Sequence, residues 1–156
     1  MIDRNINAYC LQESWKLCDY MLKIRVYTMF HHGMNEKPQR KGLTSTSVMI
    51  ILSPNLTWAW TRAGKLKPIT SPPTSKFPGW MIRITLSFTN KSNSWTDTYH
   101  RNAKGILKIF LCSIYNPHKI DKQKEFYDEL NQFIMNWPRN SEILMGADIN
   151  FNVGVL

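Results

Sequence analysis

The apolar positions of this 156-residue chain fall mostly into short runs that repeat every second residue, with one segment repeating every third or fourth. That pattern predicts an α+β fold richer in strands than in helices. Met81-Ile82-Arg83-Ile84-Thr85-Leu86-Ser87-Phe88 alternates, with Ile82, Ile84, Leu86 and Phe88 on one side, and predicts a half-exposed strand. Ser47 to Ser53 is apolar at both parities, as a central strand covered on two faces would be. Ile106 to Tyr115 predicts a strand that breaks at Asn116-Pro117 and leaves Tyr115 at its end. Ile6 to Gln12 reads as a short buried strand ending on Glu13, and Val26 to Phe30 and Leu56 to Trp60 as further strands rich in β-branched and aromatic residues. Ser141 onward gives a buried strand through Ile143, Leu144 and Met145. It stops on Gly146-Ala147, which leave room for a close neighbour, and delivers Asp148 and Asn150 to one side of an extended backbone.

The helical period is carried by about Asp121 to Trp137, where Phe126, Leu130, Phe133, Ile134 and Trp137 form one apolar face, Asp121 is the expected N-cap and Pro138 the stop. Lys124 and Asp128 are expected on its wet side. Trp15 to Leu22 predicts a second, shorter helix. Gly33 to Gly42 and Thr89 to Gly105 are polar loops, and Lys65 to Gly79, with four of the eight prolines, is expected to end any regular element. Strand, amphipathic helix, strand in the last third is a layered pattern.

Length fits one domain over residues 1–156, and 43% hydrophobic residues without a low-complexity tract disfavour disorder. Lys and Arg number 20 against 11 acids, a formal charge of +9 spread along the chain. This suits a polyanionic partner, nucleic acid first, or equally a basic excess that serves solubility. Cys10, Cys18 and Cys112 have neither a disulfide nor a zinc spacing and read as reduced, mostly buried thiols. No basic-then-apolar leader opens the chain and no apolar run is long enough to cross a bilayer, so an intracellular location without membrane contact is expected.

Three strand ends carry polar groups: Gln12-Glu13, Tyr115-Asn116-Pro117-His118, and Gly146-Ala147-Asp148-Ile149-Asn150. Taken singly, Glu13 suits a helix N-terminus, Tyr115 a core aromatic with a wet hydroxyl, and Asp148 to Asn150 an Asx turn. In this order, with a helix between the second and third, they resemble the endonuclease/exonuclease/phosphatase superfamily, most closely the endonuclease domains of non-LTR retrotransposons. The similarity runs from about Ile6 to Asn152.

The resemblance implies a DNase I-like four-layer α/β/β/α sandwich, represented mainly by its N-terminal half. It implies a Mg²⁺-dependent (or Mn²⁺-dependent) phosphodiester hydrolase acting on DNA, joined in the intact parent to a C-terminal reverse transcriptase, with a nuclear location. Glu13 would ligate the metal with Gln12 in support, Asp148 would orient or deprotonate water, and Asn150 and Tyr115 would contact the phosphate. Arg40, Lys41, Lys65 and Lys67 would meet nucleic acid. The family's first strand, and its later Ser-Asp-His-type motif with the reactive His, have no counterpart here. His31, His32, His100 and His118 lie in the wrong places, His118 stands where relatives have Asn, and Ala147 replaces a Gly. The chain is therefore expected to be inactive as it stands, with an uncovered inner face on Ser47 to Ser53 and Ile106 to Tyr115 and a tendency to aggregate. The alternatives are a catalytically dead nucleic-acid-binding remnant, or a phosphatase-type relative acting on inositol lipids or sphingolipids.

Overall fold

The computed structural model describes residues 7–13, 19–33, 47–72, 74–89, 106–116, 120–135 and 141–148. The predictions at Asn150, Arg40, Lys41, His100, His118, Cys18 and Trp137 lie outside these. The fold is mixed α+β and, among the described residues, has two four-stranded sheets and two helices. In the first sheet β1 (Ala8–Gln12), β4 (Ser47–Leu52), β3 (Tyr27–Gly33) and β2 (Tyr20–Ile24) lie in that order, all antiparallel. In the second, β5 (Ile69–Thr70), β6 (Met81–Thr89), β7 (Ile106–Tyr115) and β8 (Ser141–Asp148) follow, with β7 and β8 parallel. A parallel pair needs a crossover, and α2 (Ile120–Met135) supplies it.

The two sheets face each other. Phe30, Val48, Ile50 and Leu52 of the first pack on Ile82, Ile84, Leu86, Leu111 and Tyr115 of the second in one core. β4 is therefore buried as a central strand should be, and the expectation of an uncovered inner face on it and on β7 is corrected. Strands β6 to β8 supply the opposing sheet from within the chain, so Val48, Ile50 and Leu52 are fully buried. α2 covers the far side of the second sheet, where Phe126 meets Phe77, Met81, Cys112 and Ile114. That cover also corrects the reading of β6 as half exposed, because Arg83 and Ser87, on the supposed wet side, are buried.

Several local expectations differ from the structure. β1 is not buried, since Tyr9 and Leu11 on one side are exposed and the other side is only half-buried, and the stretch Lys65 to Gly79 holds the two-residue strand β5. Leu56 to Trp60 is not a strand but part of α1 (Pro54–Arg62), which begins where Ser53 Oγ accepts Leu56 N–H and Pro54 takes the first helical turn, and which touches both sheets. Residues 20–24 form β2 rather than the end of a helix, because pairing with β3 outweighs local preference. α2 begins at Ile120, so Asp121 lies inside its first turn instead of capping it; Lys124 and Asp128 are exposed as expected. Ile143, Leu144 and Met145 are not buried: among the described strands β8 is the outermost of its sheet, and these side chains are 38%, 56% and 53% exposed.

β2 and β3 are joined by the two residues Arg25 and Val26, and Arg25 takes a left-handed φ of 54°. A side chain there crowds the backbone, and glycine does not. Arg25→Gly is expected to stabilise the chain by about 0.5–1 kcal/mol after the flexibility it adds to the unfolded state is counted. Urea unfolding would show it as a raised midpoint at unchanged slope.

Candidate functional site

The register of both sheets brings three strand ends together. β1 ends on Gln12, opposite Val48 of β4, while β7 and β8 end side by side at Tyr115 and Asp148. β1 crosses to the second sheet directly. Gln12 Nε2 donates to Ser113 Oγ of β7 and to the Gly146 carbonyl of β8, both at 3.3 Å, and Ser113 Oγ donates to the Leu11 carbonyl at 3.2 Å. Gly146 makes that crossing possible: a Cβ there would lie 2.3 Å from Cys10 Cβ and 2.9 Å from its Sγ. The small residue expected to admit a neighbour does so, whereas Ala147 beside it is exposed.

Glu13 follows immediately in a left-handed conformation, φ 54°. A non-glycine residue there is uncommon, and such strain collects where surroundings hold a side chain for a purpose. Here the turned carboxylate receives the Tyr115 hydroxyl, Oη to Oε1, at 2.6 Å. Tyr115 is itself fixed. Its N–H donates to the Trp80 carbonyl at 2.9 Å, the Trp80 ring meets its own edge-on at 5.1 Å, and it is 2% exposed. Burial first, then the hydrogen bond to Glu13 and the charges of Glu13 and Asp148, push the phenol well above its usual titration range. Asp148 is held by its register with Tyr115 and by its carbonyl, which accepts Asn116 N–H at 3.2 Å.

Glu13, Tyr115 and Asp148 are thus gathered at one end of the sandwich, with Gln12 committed to cross-linking. The donors offered are oxygen. Cys10 turns its thiol to the Cys112 carbonyl at 3.4 Å, and burial raises both thiols, Cys112 to about 12. Among the described residues no three His, Cys, Asp or Glu side chains group as ligands would. One or two carboxylates with room for water suit Mg²⁺ or Mn²⁺, which dehydrate reluctantly, better than an ion that wants a full protein cage.

Lys65 and Lys67 are exposed on the turn after α1, remote in sequence and on different elements from this end. His32 forms a cluster the sequence did not signal. Its Nδ1 lies 2.7 Å from Asp19 and its Nε2 2.9 Å from Ser71 Oγ. Gly79 N–H donates to the same Nε2 at 3.2 Å, which makes Nε2 the acceptor and places the ring proton toward Asp19. Ser71 is 3% exposed, too deep for a nucleophile, so the group works as a strap between β3 and the segments flanking β5 and β6. No family model, no curated protein and no solved structure matches the chain.

Proposed function

We propose that the chain carries a metal-dependent phosphodiester hydrolase site of the DNA endonuclease kind, on a DNase I-like α/β/β/α framework. The observation that carries this is the convergence of Glu13, Tyr115 and Asp148 from three separate strands, with Glu13 turned into a strained conformation to meet the others. Two carboxylates at one strand-end site would repel a phosphate unless a cation stood between them. Glu13 would hold Mg²⁺ or Mn²⁺, which when bound supplies charge neutralisation on the phosphoryl oxygens. Tyr115 keeps its proton at neutral pH and donates it in a hydrogen bond to Glu13; it would turn that proton to a phosphate oxygen once a cation holds the carboxylate. Asp148 is the base or orienting group for water, Asn150 a second donor to phosphate, and Gln12 the support that fixes β1 against β7 and β8.

The 156 residues contain no Ser-Asp-His motif, so cation binding is the step to test, and plasmid DNA is expected to stay largely supercoiled with Mg²⁺. Calorimetric titration with Mg²⁺ should give one site whose affinity falls at least about tenfold in Glu13→Gln. Equal binding by both chains would end the assignment.

A further inference from the structure

The cations are spread along the chain, but the acids are not. Between Glu36 and Asp97 the sequence holds nine Lys or Arg and no Asp or Glu, while the remainder holds eleven of each. The whole positive excess therefore belongs to that stretch, and the fold places part of it on one flank. α1 turns Ala59 and Trp60 into the core and leaves Trp58 and Arg62, one helical turn apart, outside. Trp58 is 56% exposed, with the Arg62 guanidinium 4.5 Å from its ring centroid. The turn that follows the helix carries Lys65, at φ 52°, and Lys67, both exposed. It is a fixed turn, since Trp60 Nε1 donates to the Leu66 carbonyl at 3.0 Å and Lys65 N–H to the Trp60 carbonyl at 3.1 Å.

We infer that Trp58, Arg62, Lys65 and Lys67 form a binding surface for single-stranded nucleic acid, one base stacking on Trp58 and neighbouring phosphates meeting the cations. An exposed indole backed by a guanidinium offers a base its π-face, and a stretch of chain without carboxylates adds none to repel the backbone. A duplex stacks its bases on one another and leaves none for the ring. The surface needs no metal and does not rest on the chemistry proposed at Glu13.

The test is fluorescence titration of the chain with a short oligothymidylate in EDTA at roughly 50 to 200 mM salt. Binding should quench Trp58 and weaken about 5- to 100-fold in Trp58→Ala. Lys65→Ala and Lys67→Ala should each lower the log-log salt slope by about 0.7. Lys122→Ala with Lys124→Ala on α2 should bind as the parent does. Absence of binding, an unaffected Trp58→Ala chain, equal loss in the α2 variant, or a duplex bound as tightly as the single strand would each overturn the inference. Because the titration excludes metal, its failure leaves the Glu13 site standing, and loss of Mg²⁺ binding leaves this surface standing.

Discussion

Gly146→Ala is expected to destabilise the chain by about 3 kcal/mol, near the upper end of what overpacking costs. The new methyl would sit 2.3 Å from Cys10 Cβ, which rides on the β1 backbone and cannot swing aside as a longer side chain would. Either β8 leaves β7, which breaks the bond from Gln12 to Gly146, or β1 lifts from the second sheet, which breaks the bond to Ser113 as well. The obstacle is a Cβ, so the pattern of rescue is specific. Cys10→Gly should recover much of the loss in the double variant, with a coupling of at least about 1 kcal/mol, and Cys10→Ala should recover almost none. Urea unfolding of the parent, the three single variants and the two double variants measures this. A neutral Gly146→Ala would show that β1 and β8 do not approach so closely, and the gathered strand ends would lose their support.

Tyr115→Phe should cost about 1.5–3 kcal/mol at pH 8, the range for a buried hydrogen bond to a charged group. The variant keeps the ring on Trp80 and removes only the donor to Glu13. It should also change the pH dependence. The folded phenol titrates above its unfolded value of about 10, so the folded state retains a proton that the unfolded state sheds. Stability from this group is fully present below about pH 10 and declines as pH rises beyond it. Denaturant melts at pH 8 and above pH 10 should show that decline in the parent and a shallower one in Tyr115→Phe. Parallel declines would mean that the hydroxyl does not reach the carboxylate.

The parts of the fold that periodicity determines were readable from the residues. β7 has the predicted bounds, β4 is the central strand its apolar parity requires, and α2 buries Phe126 with Leu130 and Phe133 packed beside it. At α1 the strand preference of Trp58 and Trp60 points one way, while Ser53-Pro54, a helix cap followed by proline, is the contrary signal that the structure follows. A strand reading hides the pairing of Trp58 with Arg62, which needs helical spacing. β8 has the composition of a buried strand, and its exposure follows from its place at a sheet edge, which a local window does not report. At the candidate site Gln12, Glu13, Tyr115 and Asp148 were legible as polar groups closing apolar runs. The left-handed turn at Glu13 and the bond from Tyr115 to it were not, since both depend on one sheet lying against the other.

The central claim is that Glu13, Tyr115 and Asp148 border one cation pocket, and paramagnetic broadening by Mn²⁺ in amide spectra tests it most directly. The signals of Gln12, Tyr115 and Asp148 should broaden together at low Mn²⁺, and Glu13→Gln should abolish the effect at all three. Broadening confined to a single strand end, or centred on the acidic residues of α2, would contradict it.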